Sequence, residues 1–167
     1  MAEPTPILAT RSQASPAPQE QKRLVPWKRG RSILLVEDDH ALRSMVAQAL
    51  RRDGYLVVEC ADGDEALDWL GHGILDGYYE RLPALIVSDI RLPYFDGLEL
   101  LDSMRSALDR VPFILITAFP DEEVYRRAFT LGARNVLAKP FDLEDLRAAV
   151  WRALEPEDRA RIRPRGF

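Results

Sequence analysis

The chain has 167 residues, of which 47% are hydrophobic and 30% charged, a composition typical of one folded domain with room for extra segments. This excludes a fully disordered or fibrous chain and makes a two-domain enzyme a poor fit. The net charge of −4 conceals an uneven distribution, because residues 1–31 and 151–167 carry +4 and +2 while residues 32–150 carry −10. Direct binding of nucleic acid requires Lys and Arg clustered on the surface of the folded domain, and the predicted domain is acidic. We therefore expect no direct nucleic-acid binding.

The cysteine count and the length of the apolar stretches indicate the cellular compartment of the chain. The one cysteine, Cys60, excludes an intramolecular disulfide and a Cys-rich zinc site, and it fits a reducing environment. The longest apolar stretch, near residues 113–119, is far shorter than a membrane span, and the N-terminus lacks the apolar stretch of a signal peptide. We therefore expect a cytoplasmic chain without a membrane span.

The two ends of the chain differ from its middle. Residues 1–31 contain five prolines and no period of 2 or 3.6, which predicts a flexible, Pro-rich basic tail, disordered at the N-terminus. Residues 155–167 are predicted to form a basic C-terminal tail. We expect these tails to contact the acidic middle of the chain or an acidic partner, with a strength that falls as salt rises.

Between the tails, residues 32–154 read as one domain in which short apolar runs alternate five times with amphipathic helical patterns. Such a series predicts an α/β fold with a doubly wound parallel sheet. The connection 71–82 is long for a helix-to-strand loop and predicts a surface insertion with an extra helical turn. The predicted strands are 33–36, 55–60, 85–88, 113–117 and 136–138, and the predicted helices are 42–50 with a stop at Gly54, 64–70, 98–108, 121–131 and 143–154.

Polar side chains follow four of these strands. Ligands bind outside the carboxyl ends of parallel strands, so these groups are expected to share one crevice. Clustered carboxylates repel one another unless they share a cation, and oxygen ligands that leave positions open for water and phosphate suit Mg²⁺. A hydroxyl and an ammonium group beside them would complete a cradle for a phosphoryl group. The residues are Glu37, Asp38 and Asp39 after the first strand, Asp89 after the third, Thr117 at the end of the fourth and Lys139 after the fifth.

Four motifs in this order carry a resemblance to a known family. They are ILLVEDD at 33–39, SDIRLPYFDG at 88–97, LITA at 115–118 and LAKPF at 137–141. Together they resemble the response-regulator receiver domain of bacterial two-component signalling. The resemblance implies a flavodoxin-like sheet with strand order 2-1-3-4-5 and five helices. It also implies a phosphoprotein that is not an enzyme. Its only chemistry would be transfer of a phosphoryl group to its own Asp89 and hydrolysis of the phosphorylated aspartate.

The resemblance implies a role for each site residue. Asp89 would accept the phosphoryl group, and Glu37 and Asp38 would bind Mg²⁺ together with Asp89. The backbone carbonyl of Arg91 would be a further metal ligand, whereas Asp39 is left as a flanking acid. The remaining implied roles are a phosphoryl contact for Thr117 and a phosphate and carboxylate partner for Lys139, which precedes a candidate cis proline, Pro140.

The implied partners are a sensor histidine kinase or histidine phosphotransfer protein and a downstream protein that contacts the face of helix 4, strand 5 and helix 5. In the family, an aromatic residue three positions before the lysine turns inward on activation. Here that position is Val136, which predicts muted switching or a substitute ring. Phe119 is a candidate for that ring, although a half-buried loop residue is the simpler interpretation.

Three functions stay open. The first is a stand-alone response regulator that accepts the phosphoryl group on Asp89 and acts through protein contact or phosphorelay. The second is a receiver-like interaction module that works without phosphorylation, which Val136 favours. The third is a phosphatase with an aspartate nucleophile, which generally needs a second Asp two residues later, where this chain has Arg91. The Arg91 side chain is either a loop charge or a group that controls access to Asp89.

Several other residues are expected to be structural. His40 and His72 are predicted to be exposed, and Cys60 to be a small buried residue. Trp69 and Trp151 lie on predicted helices and are predicted to pack against the rest of the domain rather than to contact a partner.

Overall fold

A computed structural model describes residues 32–75, 82–106 and 111–154 of the chain. Its five strands form one parallel sheet in the order β2-β1-β3-β4-β5, which confirms the predicted doubly wound, flavodoxin-like fold. The predictions for the two tails and for residues 76–81 and 107–110 lie outside the described residues. Among the described helices, none is long and apolar enough to cross a membrane.

The strands are short and mostly buried. Three of the five are buried at every position, as expected for parallel strands covered by helices on both faces. All five strands begin at one end of the sheet, here called the basal end, and finish at the other, here called the carboxyl end. The strands are β1 Ser32–Val36, β2 Leu56–Cys60, β3 Leu85–Asp89, β4 Phe113–Thr117 and β5 Asn135–Ala138.

Five helices cover the two faces of the sheet, and alternate strand residues divide between two apolar clusters. Leu34 and Leu115 belong to one cluster, whereas Leu35 and Ile114 belong to the other. Because each helix returns the chain to the start of the next strand, the helix N-termini lie at the carboxyl end. The helices are α1 His40–Arg52, α2 Gly63–Leu75, α3 Gly97–Met104, α4 Glu122–Leu131 and α5 Leu143–Leu154.

Two helix ends differ from the predictions by more than two residues. Helix α2 continues five residues beyond the predicted end at residue 70, so the extra helical turn predicted for the insertion is present. Ile74 and Leu82 pack against the apolar cluster there, and this burial outweighs the weak helix propensity of Gly71 and Gly73. Helix α3 ends at Met104, earlier than the predicted end at residue 108.

The other structural expectations are mostly confirmed. Cys60 is fully buried and Trp69 packs against the apolar cluster. His40 and His72 are exposed. The prediction for Trp151 is wrong: its side chain is 59% exposed in the last turn of α5, because the buried stripe of that helix is filled by Leu146, Ala149, Val150 and Ala153.

Gly63 begins α2 against the backbone of the loop that follows β3. A Cβ atom at Gly63 would lie 2.1 Å from the Phe95 carbonyl oxygen, whereas a Cβ at Gly71 in the same helix would meet nothing within 4 Å. We expect Gly63→Ala to lower the free energy of unfolding by about 1–3 kcal/mol through overpacking. Gly71→Ala, the matched control, should raise it by about 0.5–1 kcal/mol through helix propensity. Urea unfolding of both variants measures the difference, and equal shifts would show that the contact has no effect.

Candidate phosphoryl-acceptor and metal site

Three carboxylates meet at the carboxyl end of the sheet. Glu37 and Asp38 directly follow β1, and Asp89 is the last residue of the neighbouring strand β3. One oxygen from each lies within 4.8 Å of the other two. Glu37 and Asp89 are 1% and 4% exposed, whereas Asp38 is open to solvent. The structure therefore brings together the side chains predicted to bind a cation.

Lys139 links the two buried carboxylates. Its Nζ atom donates to Glu37 Oε1 and Oε2 at 3.1 and 2.9 Å, and it also donates to Asp89 Oδ2. The lysine reaches this position from the residue after β5, and the Lys139–Pro140 peptide bond is cis, as predicted. Burial lowers the pKa of Lys139, but its hydrogen bonds to Asp89 and Glu37 outweigh that effect and raise it. The ammonium therefore stays charged beside both carboxylates.

Glu37 is the most perturbed acid in the crevice. Burial raises its pKa to about 7, against the opposing hydrogen bond from Lys139, and the negative charge of Asp89 raises it further. The crevice thus holds more negative charge than one lysine neutralises, which is the condition under which a divalent cation binds favourably.

Asp89 is held by the loop that follows it. The backbone N–H of Arg91 donates to Asp89 Oδ1 at 2.7 Å. A Cβ atom at Gly97 would lie 2.2 Å from the Asp89 carbonyl oxygen, so glycine is needed where α3 begins against this strand. Backbone groups therefore fix the Asp89 carboxylate through Oδ1, while Oδ2 faces the Lys139 ammonium.

Thr117 ends β4 beside the crevice and is 1% exposed. Its Oγ1 atom accepts a hydrogen bond from the backbone N–H of Phe119 at 3.1 Å. Because the hydroxyl acts as an acceptor in this contact, its proton is available for an incoming anion.

The side chains of Arg91 and Phe119 contact each other at the rim of the crevice. The Arg91 guanidinium carbon lies 3.8 Å from the centroid of the Phe119 ring, a cation–π contact. Phe119 is 54% exposed, so the ring lies outside the core, whereas Val136 is buried in the apolar cluster. The contact joins the loop that follows β3 to the loop that follows β4.

Two residues near the crevice have roles that the motif analysis did not identify. Arg43 in the first turn of α1 donates through Nη1 to the Glu37 carbonyl at 2.6 Å and the Asp38 carbonyl at 3.3 Å, which orients the acidic turn. Asp39 caps α1 by accepting from the Leu42 N–H at 3.0 Å, and this backbone bond lowers its pKa. The position of Asp39 directly before a helical pattern was a usable signal for the cap, whereas nothing in the spacing indicates the role of Arg43.

The residues present fit a hard divalent cation. Among the described residues, the clustered groups are the carboxylates of Glu37, Asp38 and Asp89, of which Glu37 and Asp89 are buried, and carboxylate oxygens are the ligands that hard cations prefer. Mg²⁺ matches this chemistry because it is held by one or two carboxylates while keeping other positions for water and phosphate oxygens.

Comparison with known proteins agrees with this geometry. The sequence matches the family described as the response regulator receiver domain over residues 33–151. It is 30% identical over 122 residues to sporulation initiation phosphotransferase F of Bacillus subtilis, covering 73% of this chain and 92% of that protein. It is 36% identical over 131 residues to response regulator MprA of Mycobacterium bovis, covering 77% of this chain and 54% of that protein. The chain thus spans only about half the length of MprA.

Solved structures give the same assignment. The receiver domain of HemR from Leptospira biflexa has a TM-score of 0.65 and 29% identity, covering 81% of this chain and 99% of that one. Chemotaxis response regulator CheY4 of Vibrio cholerae has a TM-score of 0.62 and 29% identity, covering 74% and 98%. The fold, the acidic crevice and the sequence match agree, and the chain belongs to the response regulator receiver domain family of two-component signalling.

Proposed function

We propose that this chain accepts a phosphoryl group on Asp89 from a sensor histidine kinase or a histidine phosphotransfer protein. The observation that carries the proposal is the placement of Asp89, a buried carboxylate held by the Arg91 N–H and Lys139 and lying beside Glu37 and Asp38. Phosphorylation on aspartate is typical of the family, and receiver domains bind Mg²⁺ at an acidic pocket and interact with kinases or phosphotransfer proteins.

In the proposed reaction, an Asp89 carboxylate oxygen attacks the phosphorus of a phosphohistidine. The new O–P bond forms as the P–N bond breaks, and the electron pair leaves with the imidazole nitrogen. Glu37, Asp38, Asp89 and the Arg91 carbonyl would hold Mg²⁺. When bound, the ion neutralises charge on the transferring oxygens. Attack of water on the acyl phosphate later restores the carboxylate and releases phosphate.

Lys139 and Thr117 would hold the transferred group. Lys139 already contacts Asp89, so its ammonium needs only to exchange a carboxylate oxygen for a phosphoryl oxygen. The Thr117 hydroxyl would donate to another phosphoryl oxygen. Both interactions form only with the phosphorylated protein, so they would stabilise the signalling state.

The proposed output is contact with another protein or phosphorelay. We infer a receiver domain at 32–154 between the two tails, and a cytoplasmic location suits its single cysteine, Cys60, which is buried. Helix α4 offers a candidate contact on the proposed α4, β5 and α5 face, because Phe129 is 51% exposed and stacks on Tyr125 at 6.5 Å between ring centroids.

The interaction module that works without phosphorylation is the second candidate, favoured by buried Val136 in the position of the usual aromatic. Amide exchange of α4 and α5 with and without a phosphodonor separates the two functions. A change on phosphorylation supports the switch, and an unchanged pattern supports the module. The phosphatase is less well supported, because Arg91 supplies no acid and its side chain lies on Phe119.

The Arg91–Phe119 contact predicts control over phosphoryl lifetime. The contact joins residues two positions after Asp89 and two positions after Thr117, so removing the Arg91 side chain should loosen these loops and admit water to Asp89 more readily. We expect Arg91→Ala to shorten the lifetime of the phosphorylated protein about threefold to tenfold, a barrier change of roughly 1 kcal/mol. Phosphate release after removal of the donor measures it. Arg127→Ala, an exposed change on α4, is the matched control, and equal lifetimes would limit Arg91 to its backbone role.

The direct test of the proposed function is incubation of the full chain with a small acyl phosphate. Covalent labelling is expected with Mg²⁺ and is expected to be lost when the ion is chelated. Labelling of the same extent with chelator present would overturn the metal assignment, and no labelling under either condition would overturn the acceptor assignment.

A further inference from the structure

A second group of charged side chains connects β2 and α1 to the acidic turn at residues 37–39. Glu59 lies on the same face of β2 as Val57, which packs against the apolar cluster that contains the buried side chains of α1. Two arginines of α1 hold its carboxylate oxygens separately. Arg51 Nη1 lies 2.8 Å from Oε1, and Arg43 Nε lies 3.7 Å from Oε2. Glu59 therefore joins the first and the last turn of α1, and these three charged residues are here called the Glu59 network.

Arg43 connects the Glu59 network to the acidic turn. Its Nη1 atom donates to the Glu37 carbonyl at 2.6 Å and to the Asp38 carbonyl at 3.3 Å, while its Nε atom faces Glu59. A guanidinium is planar and its donors are fixed relative to one another, so the position of Glu59 restricts the direction in which Nη1 donates. Glu37 and Asp38 belong to the carboxylate cluster. The network therefore restrains the backbone that carries two of the three clustered carboxylates.

The Arg43–Glu59 pair is partly removed from water. The two side chains are 13% and 25% exposed, whereas those of the Arg126–Glu123 pair on α4 are 65% and 67% exposed. Solvent and salt screen such a pair less than an exposed one. A guanidinium in this position costs free energy unless its protons and its charge are satisfied, and the two carbonyls and Glu59 do so. Without Glu59, Arg43 would bring an unbalanced positive charge to the turn that carries two proposed metal ligands.

Holding α1 against β2 does not require Arg43. Arg51 makes this connection in the last turn of the helix, because its Nη2 atom donates to the Val57 carbonyl at 2.8 Å while Nη1 faces Glu59. The contacts of Arg43 differ, because two of them are made with backbone carbonyls of the acidic turn. The Glu59 network thus has an anchoring arginine at one end and an arginine that contacts the acidic turn at the other.

We propose that Arg43 and Glu59 are positioning residues that set the affinity of the acidic crevice for Mg²⁺. The proposal rests on the metal site of the proposed function and names side chains that hold the proposed ligands in place. Removal of a group that orients metal ligands without touching the metal commonly weakens metal binding by about tenfold to a hundredfold. Glu59 acts through Arg43, since the described ion pairs of Glu59 are with the two arginines of α1 rather than with the turn.

Positioning and charge predict opposite effects for the removal of Arg43. Loss of a contact that orients the turn weakens Mg²⁺ binding, whereas loss of a nearby positive charge strengthens it, because like charges repel. Replacement of Glu59 weakens binding on either basis, since it releases Arg43 and also leaves the charge of Arg43 unbalanced. The direction of the change in Arg43→Met therefore separates the two explanations.

The test is titration of the full chain with Mg²⁺, followed through the amide chemical shifts of the acidic turn. We expect the dissociation constant to rise about tenfold in Arg43→Met and about threefold to tenfold in Glu59→Gln. The double variant should match Arg43→Met alone, because Glu59 has no effect on the turn once the arginine that it holds is gone. Urea unfolding of each variant without Mg²⁺ confirms that it is folded and separates metal affinity from stability.

Arg147→Met is the matched control. Arg147 also bridges two carboxylates, donating to Asp53 at 2.7 Å and to Glu144 at 2.7 Å, but these acids lie at the end of α1 and in the first turn of α5. Its removal should leave the dissociation constant at the parent's value. An unchanged or smaller constant in Arg43→Met, or an equal rise in Arg147→Met, would overturn the inference while leaving the metal site intact. A parent chain whose shifts do not respond to Mg²⁺ would overturn both.

Discussion

Asp89→Asn is expected to abolish labelling of the chain by a phosphodonor. The amide of asparagine has no carboxylate oxygen to attack phosphorus, and Asp89 is the carboxylate that the Arg91 N–H and the Lys139 ammonium hold at the end of β3. The loss should be complete within the sensitivity of a radiolabel or intact-mass measurement. The fold should remain, because the Arg91 N–H can still donate to the amide oxygen at the position of Oδ1.

Asp68→Asn is the matched control for this substitution. Asp68 is exposed in the middle of α2 and is not one of the clustered carboxylates, and its side chain makes no described ion pair. It should label as the parent does. Labelling of Asp89→Asn at the parent's level would show that the phosphoryl group goes elsewhere and would remove the proposed function.

Glu37→Gln is expected to change how stability depends on pH when Mg²⁺ is chelated. Burial raises the pKa of Glu37 to about 7 from an ordinary 4.5. Between these values the folded chain holds a proton that the unfolded chain has released, so this group's contribution to the free energy of unfolding falls as pH rises from 4.5 to 7. Each pKa unit corresponds to about 1.4 kcal/mol, so the free energy of unfolding falls by roughly 3 kcal/mol over this range.

Glutamine cannot ionise, so urea unfolding should show Glu37→Gln gaining stability over the parent by up to that amount across this pH range. Glu122→Gln, an exposed change in the first turn of α4, is the control and should follow the parent curve. Mg²⁺ added at pH 7 should restore stability to the parent, because binding requires ionised carboxylates and offsets their repulsion. Parallel curves for the parent and Glu37→Gln would contradict the buried position assigned to Glu37.

The sheet could be predicted because its strands are nearly continuous apolar runs. Residues 33–36 and 113–117 have no polar residue until their ends, and buried parallel strands show this pattern. Helix ends were less predictable. The extent of α2 depends on burial of Ile74 and Leu82, a tertiary contact that helix propensity does not describe. The low helix propensity of Gly71 and Gly73 predicts an earlier end of the helix.

The site was predictable to the level of residues but not of contacts. Strand ends placed Glu37, Asp89 and Lys139 together because topology alone brings them to one edge. Their pairing, and the raised pKa of Glu37, depend on side-chain geometry and burial that a sequence does not contain. The exposure of Trp151 was missed for a related reason: a hydrophobic residue at the edge of a helical stripe can lie on either side of it.

The Arg91–Phe119 contact illustrates the same limit across two loops. The residues lie 28 positions apart in the chain, each two residues beyond a site residue, and no local period relates them. Their meeting follows from the neighbouring positions of β3 and β4 in the sheet. The contact could have been predicted from the sequence by comparing the residues that follow the ends of neighbouring strands.

Mass spectrometry of the phosphorylated chain identifies the residue that carries the phosphoryl group. The full chain is incubated with Mg²⁺ and a small acyl phosphate as donor. The aspartyl phosphate formed on the protein is then trapped by hydride reduction, and the protein is cleaved so that its peptides can be analysed by mass spectrometry. We expect one modified residue, Asp89, and no modification when Mg²⁺ is chelated. Modification of any other residue, with Asp89 unchanged, would contradict this expectation.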